Sequence, residues 1–464
     1  MSVQILLQGR ILGTEPFLLA GSGDELDFAG RAQWLSLLSE VLPRAIIAEL
    51  GLSKMLLGSS GGEQFLIVLP EEARARAEEF FTAARADLRR LSGGSLNLIW
   101  AITENLGDWT VVRKRINDEM LRKQGAPLAF GEWEPAAAAP DPEYFARLGE
   151  QLRHANSISW SAESPAELKV GGGKFTWPVG NNADAIPLAR HTALTDDDNA
   201  VAPPAVLGGR AEGRSVWGVL RGDVDDFGVR LRRLTSIEEH VQISVMFKQF
   251  FAGELEVLAS LPEFWRKVTL LYAGGDDFAI YGAWDALIAF ARELKRLLHR
   301  FSEESLKDFP GQEGKTITMA LALAPSPDAR IDSVFERAGE KLGIAKATDK
   351  DCFYLLGRTL EWKQVADASE VKDDLTRMVT EFCVPAEYIR ELCGIYRETK
   401  KAAGRPWRFH RRMNRILGSS RSREYQKART SLVADLAGKN RTNLKLRPSG
   451  RVALEWARLS TENR

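Results

Sequence analysis

A chain of 464 residues is long enough for two to four domains, each with its own core. Its 63 basic and 63 acidic side chains cancel, so overall charge singles out no partner, and no run of eighteen apolar residues offers a membrane span. Cys352, Cys383 and Cys393 share no CxxC spacing, which excludes a zinc ribbon and reads as small buried hydrophobes in a reducing compartment. No charged-then-apolar leader opens the sequence, and a soluble, cytoplasmic protein is expected.

Taken in order, Val3–Leu7 and Phe17–Leu19 read as strands. Phe28–Leu50 predicts a long amphipathic helix with Leu35, Leu38, Val41, Leu42, Ile46 and Leu50 on one stripe. Lys54–Pro70 reads strand, Ser-Ser-Gly-Gly turn, strand. Helix is expected over Glu71–Leu91, strand over Ser95–Thr103 and helix over Trp109–Gln124. Glu132–Ala139 is an Ala/Pro-rich connector and Asp141–Asn156 a helix. Gly171–Gly173 and Asp196–Gly213 read as loops.

The same order then recurs. Val216–Leu220 predicts a strand, Ile237–Leu261 a helix, Lys267–Tyr281 a hairpin and Trp284–Phe301 a helix. Thr316–Ala324 follows as a strand, Asp332–Ala347 as a helix and Cys352–Leu356 as a last strand. The two halves read as an internal duplication of one α/β unit. They differ in chemistry. The first hairpin carries SSGGEQF where the second carries AGGDDF, and the first strand ends LLQGRI where the second ends RGDVDD. One copy has carboxylates that the other lacks.

Asp276 and Asp277 follow Gly274 and Gly275 on a tight turn, where glycines accept positive φ and let a phosphate chain approach. Asp223 closes the strand upstream. A strand ending in Asp, a helix, and a hairpin carrying Asp-Asp is how a palm domain assembles a two-metal nucleotidyl-transfer site. Carboxylate oxygens are hard ligands suited to Mg2+ or Mn2+. GGDD alone is equally an ordinary solvated turn; the DVDD strand end and the helix between them favour the metal site. One acid per strand end suffices, so Asp225 and Asp226 read as structural or supporting acids.

The last hundred or so residues change character. Val371–Lys400 is helical, broken near Pro385. Beyond it Arg405, Arg408, Arg411, Arg412 and Arg415 interleave with Trp407 and Phe409, and Tyr425 follows. Such a stretch follows a nucleic-acid backbone or meets a ribonucleoprotein; equally, its aromatics anchor a helix bundle while the arginines face water.

FAGRAQWLSLLSE, LLGSSGGEQFLIVLP, GDVDDFG, LLYAGGDDFAIYG, AGEKLGIAK and RPWRFHRRMNR occur in this order. Together they resemble the large, Csm-type polymerase-cyclase subunit of type III CRISPR effector complexes, over nearly the whole chain. The resemblance implies an α+β architecture: a degenerate ferredoxin-like palm, a catalytic palm bearing GGDD, and a helical C-terminal domain. It implies synthesis of cyclic oligoadenylate messengers from ATP when the complex holds target RNA. The partners it implies are guide RNA, target RNA and the other subunits, with no membrane. By motif, Asp223 and Asp276 would be metal ligands, Val224 would add its backbone carbonyl, and Asp277 would help hold the metals and the attacking 3′-hydroxyl. Gly274 and Gly275 would admit the triphosphate, Lys346 would contact phosphate, and Ser59, Ser60 and Gly61 would meet a second nucleotide from the facing palm. Two departures stand out. Many members begin with an HD nuclease domain, whereas this sequence opens on the first palm and none of its five histidines precedes an Asp, so no HD-type DNase is expected. The family's cysteine-rich zinc knuckle is replaced by Lys123–Pro135, and no zinc is expected.

The expected organisation is a first palm over 1–135, a helical and loop region over 136–213, a catalytic palm over 214–362 and a basic helical domain over 363–464. The two palms should pack face to face, with Ser60 and Gly61 opposite Gly274–Asp277. The alternatives are, from a different class, a scaffold subunit with an idle cyclase and, ranked below it, a free-standing enzyme like the diguanylate cyclases.

Overall fold

The computed structural model describes residues 3–21, 23–125, 142–180, 184–197, 199–397, 406–418, 422–437 and 447–462. The Ala/Pro-rich connector and most of Lys123–Pro135 lie outside them.

The first unit runs β1 (Gln4–Leu12), α1 (Thr14–Leu19), α2 (Glu25–Glu49), β2 (Leu57–Gly61), β3 (Gln64–Pro70), α3 (Arg74–Leu91), β4 (Asn97–Glu104) and α4 (Trp109–Gly125). Its antiparallel sheet has the order β2-β3-β1-β4. Phe17–Leu19, expected as a strand, is the end of α1: Gly13, at φ 85, turns the chain out of β1, and the Phe17 N–H bonds back to its carbonyl at 3.1 Å. α2 also departs from the expected single stripe. Asp24 caps it through the N–H groups of Leu26 and Asp27, and Trp34, Leu37 and Ile47 are buried along with the predicted positions from Leu35 to Ile46. A helix buried on every side belongs inside a larger core, and α2 lies between its own sheet, α5 (Pro142–Leu152) and the second unit.

α5 is the helix expected between the palms. It is joined there by an antiparallel sheet of β5 (Ser157–Trp160), β6 (Lys169–Val170) and β7 (Phe175–Pro178), in the order β6-β5-β7, and by α6 (Pro204–Gly209). The Gly- and Pro-rich composition hid these short strands.

The second unit runs β8 (Trp217–Val224), α7 (Phe227–Arg233), α8 (Ile237–Gln249), a π-helical turn at Phe250–Glu254, α9 (Leu255–Ala259), β9 (Val268–Gly274), β10 (Asp277–Ala283), α10 (Trp284–Ser305), β11 (Ile317–Leu323), α11 (Ile331–Thr348), β12 (Cys352–Leu355) and β13 (Arg358–Glu361). Its sheet order is β13-β12-β11-β8-β10-β9. The stretch β9-β10-β8-β11 repeats β2-β3-β1-β4 strand for strand. The duplication extends to atoms. A Cβ on Gly9 would fall 2.1 Å from the Phe65 ring, and one on Gly222 2.4 Å from the Phe278 ring, so both units fold an aromatic over a strand glycine. The Ile11 N–H bonds to Glu63 O at 2.8 Å, as the Val224 N–H does to Asp276 O.

α12 (Trp362–Thr380), α13 (Glu387–Arg397), α14 (Pro406–Ile416), α15 (Arg423–Ala437) and α16 (Pro448–Thr461) form the C-terminal helices. Met413, Tyr425, Leu432 and Leu454 continue the second palm's core. Tyr425 is an anchor: it is buried and its hydroxyl donates to Leu417 O. Arg411, Arg412 and Arg415 are exposed. Arg405 and the side chains of Trp407, Arg408 and Phe409 lie outside the described residues.

The palms exchange helices: α2 packs against β9, and α8 packs against β2. Leu38 and Val41 of one unit share a core with Leu271 and Ala279 of the other. Within this interface Glu40 meets Lys248 at 2.8 Å and Arg44 at 2.6 Å, and Ser60 donates to it at 2.9 Å while accepting from Lys248 at 2.6 Å. Burial alone would raise the Glu40 pKa; Lys248 and Arg44 outweigh burial and hold it at about 2. A depressed carboxyl contributes stability that is present above its unfolded pKa and lost as pH falls through the folded one. Glu40→Ala leaves Lys248 buried beside no acid. Denaturant unfolding is expected to show a loss of about 3 kcal/mol at pH 7, shrinking as pH falls from about 4.5 towards 2.

Candidate active site

The site forms where the two hairpins touch. Gly275 sits at φ 64, and a Cβ on it would come within 2.9 Å of Gly62 Cα. A Cβ on Gly62 would lie 3.8 Å from Asp276 Oδ1. Only glycine satisfies both the left-handed backbone and this approach. The expected face-to-face placement of Gly61 and Gly275 is what the structure has. On one side of the junction opens a cleft of about 730 Å3, bordered by Arg10, Ser59–Gly62, Trp109, His240, Asp223 and Gly275–Asp277. On the other side lies a cavity of about 180 Å3, bordered by Glu15, Ser36, Arg221, Tyr272, Gly274 and Asp277.

β8 runs further than the apolar pattern indicated, which brings Asp223 inside the strand. There it lies directly opposite Asp277 on β10 and Thr318 on β11. Asp276 occupies the turn, held by the bond from Val224 N–H to its carbonyl. Val224 itself is buried with its side chain in the core. Burial lifts the Asp276 pKa to about 7, with Asp223 adding repulsion and Lys346 opposing it. Burial, then Asp276 and Asp223, push Asp277 well above the carboxylate range, and the Tyr272 hydroxyl donates to Asp277 Oδ2 at 3.1 Å. Asp223 is raised by burial against the pull of Lys346. Lys346, at the end of α11, forms an ion pair with Asp223. It is therefore at the site and is no remote surface lysine.

Among the described residues no three His, Cys, Asp or Glu side chains are arranged to enclose a metal ion. Asp223 turns to Lys346 and Asp277 to Tyr272. The donor chemistry nevertheless fits a hard divalent cation. Three carboxylates share a partly buried corner, and each is pushed towards its protonated form, the charge imbalance such a cation relieves.

Two expectations are corrected. Ser60 borders the cleft, but its hydroxyl proton goes to Glu40 and Lys248 donates to its oxygen, so it serves the palm interface. Ser59 pairs with His240 Nε2 at 3.2 Å. The backbone of Gly61 and Gly62 is what the first palm turns to its partner. Asp225 has the expected structural role: it accepts from Thr316 at 2.8 Å, Thr318 at 2.7 Å and the Asp351 N–H at 2.9 Å. Asp226, at φ 56, pairs with Lys350 at 2.7 Å. Sequence reasoning missed Arg10, Glu63, Trp109, His240 and Tyr272. Laying GGEQF over GGDDF, and QGR over RGD, would have marked Glu63 and Arg10.

Residues 216–354 match the family model for the second palm domain of Cas10/Cmr2. A Cas10/Csm1 protein of Thermococcus onnurineus, named a CRISPR system single-strand-specific deoxyribonuclease of subtype III-A, is 23% identical over 442 aligned positions, covering 76% of this chain and 55% of that one. The chain is similar to Cas10/Csm1 proteins, and its second palm matches their family's palm model. The Mycobacterium tuberculosis relative of the same name is 30% identical over 116 positions, 21% of this chain and 14% of that protein. The chain thus spans about half the length of the Thermococcus onnurineus relative. A Csm1–Csm4 cassette solved with pppApA superposes with a TM-score of 0.73 at 18% identity, covering 99% of this chain and 69% of that one. One solved with cA4 gives 0.72 at 16%, over 99% and 70%. These matches establish the fold of paired palms with helical regions.

The raised acids make a stability prediction. A carboxyl whose folded pKa exceeds its unfolded value contributes at low pH and loses that contribution as pH rises through the folded pKa. Metal-free protein is expected to lose thermal stability between pH 4 and about 7 from this corner. Asp276→Asn should raise the melting temperature at pH 8 and leave it little changed at pH 4, as read by calorimetry.

Proposed function

We propose that this chain is the cyclic oligoadenylate synthase of a type III CRISPR effector complex. The observation that carries the reading is the gathering of Asp223, Asp276 and Asp277 at the one place where two palms press glycine turns together. Two ATP molecules must meet there. One offers its 3′-hydroxyl; the other offers its α-phosphate. The new bond is a phosphodiester, pyrophosphate leaves, and the hydroxyl proton passes to a basic oxygen nearby. Repetition and ring closure give the messenger.

Asp223, Asp276 and Asp277 would hold magnesium or manganese, which when bound neutralises triphosphate charge and polarises the reacting phosphate. Gly274 and Gly275 keep the donor's phosphate path free of side chains. Lys346, drawn away from Asp223, reaches phosphate oxygens. Asp277, on the floor of both cavities, orients the attacking hydroxyl. Gly61 and Gly62 hold the acceptor against the acids without a repelling carboxylate at that point. An idle scaffold would have no physical reason to keep three acids that repel one another in a partly buried corner. No His-Asp pair occurs in these 464 residues, and the reading assigns HD-type nuclease chemistry to none of them.

The partners follow the same reading: guide RNA, target RNA and further subunits, with the solved Csm1–Csm4 cassettes as support for a neighbour of the Csm4 kind. No helix among the described residues is long and apolar enough to cross a membrane.

The assembled complex is given target RNA with labelled ATP or GTP, and the products are separated. Cyclic adenylates from ATP are expected, and Asp276→Ala with Asp277→Ala should abolish them while assembly persists and the melting temperature does not fall. Normal synthesis by that variant would remove the site assignment. The exposed arginines of α14 are assigned to a ribonucleoprotein contact. Arg411→Glu with Arg415→Glu should weaken assembly most at low salt, the difference narrowing as salt screens the contact, with thermal stability retained because exposed charges contribute little to folding. Unchanged assembly would assign these arginines to a solvated face of the bundle.

A further inference from the structure

We propose that the first palm holds its nucleotide on the Arg10 guanidinium in place of a metal ion. This rests on the proposed function of the cleft and deepens it.

Sheet register carries the argument. Gln64 pairs with Arg10 across β3 and β1, as Asp277 pairs with Asp223 across β10 and β8. Gly61 faces Gln64 at the mouth of the first hairpin, as Gly274 faces Asp277 at the second. Arg10, Glu63 and Gln64 therefore stand where Asp223, Asp276 and Asp277 stand. Three acids in one palm correspond in the other to an arginine, an acid and an amide, whose formal charges sum to zero. A pair of divalent ions finds no carboxylate set in that trio.

The second loop residue differs as well. Glu63 lies at φ 63, in the left-handed region, whereas Asp276 does not. Arg10 is exposed and borders the 730 Å3 cleft, and its charge is felt at Glu63. A guanidinium meets phosphate oxygens with a planar fork of donors, so it supplies charge and orientation together where the other palm relies on metal ligands.

The remainder of the cleft suits a base. Trp109 and His240 line it with ring centroids 5.6 Å apart, and Ile116 and Met120 add apolar wall. Trp109 Nε1 and His240 Nδ1 are buried with no hydrogen-bond partner among the described residues. Flat rings with unspent polar atoms beside a phosphate-binding arginine describe a nucleoside triphosphate pocket.

Equilibrium dialysis of the full chain with ATP, in EDTA and in magnesium, tests this. About one equivalent should bind in EDTA, and at least as well to the Asp276→Ala, Asp277→Ala variant, because without metal the nucleotide is held by Arg10 and the acids that share the cleft can only repel it. Arg10→Ala should weaken EDTA binding about tenfold or more, and Arg10→Lys should recover part of it. Arg10 is exposed, so the melting temperature should not move; if Arg10→Ala unfolds, Arg10→Gln and Arg10→Lys give the same comparison. No binding in EDTA, or binding indifferent to Arg10, overturns the proposal. Arg10-dependent binding by a chain that makes no cyclic product would overturn the cyclase reading alone.

Discussion

The contact between Gly62 and Gly275 sets the terms for everything around it. At a separation that excludes a side chain, the two turns close one another off and divide the space between the palms into two cavities. Everything that holds the contact lies behind it: the exchanged helices α2 and α8, the shared apolar core, and the Glu40–Lys248–Ser60 cluster. A buried ion pair is a poor source of net stability compared with apolar packing. Its place here, directly under the first hairpin, suits a device for fixing register between two units that would otherwise slide on apolar surface.

The same geometry explains the electrostatics. Burying three acids beside one another is unfavourable, and the metal-free protein meets that in two ways. Lys346 binds Asp223, and burial shifts Asp276 and Asp277 towards their protonated forms. Both responses are reversible, which suits the highly charged substrate proposed for the site. In the first palm the conflict never arises, because Arg10 occupies the corresponding register position. The two palms thus bring walls of different charge, an arginine on one and acids on the other, to one cleft beside the junction.

Much of this was legible in the sequence. The repeated order of strands, helices and hairpins predicted paired palms because period-2 and period-3.6 patterns survive duplication, and GGDDF with GDVDD located the acids. Three things were not legible. Phe17–Leu19 is too short for periodicity to separate strand from helix, and Gly13 decides the matter. The all-round burial of α2 depends on the partner palm, which no local pattern reports. Ser60 reads as a free turn hydroxyl, yet it is engaged by Glu40 and Lys248, residues distant in sequence. Arg10 was available in principle, since QGR aligns with RGD, but an arginine is not sought at the position of a missing acid.

The central claim is that two nucleotides meet across one junction, over Asp223, Asp276 and Asp277. A structure of the chain with a non-hydrolysable ATP analogue and manganese, read by anomalous scattering, tests it most directly. The account predicts manganese on those three aspartates, Lys346 drawn off Asp223, and one nucleotide on each side of Gly62 and Gly275. Manganese bound elsewhere, or nucleotides on surfaces that the junction does not connect, would contradict it.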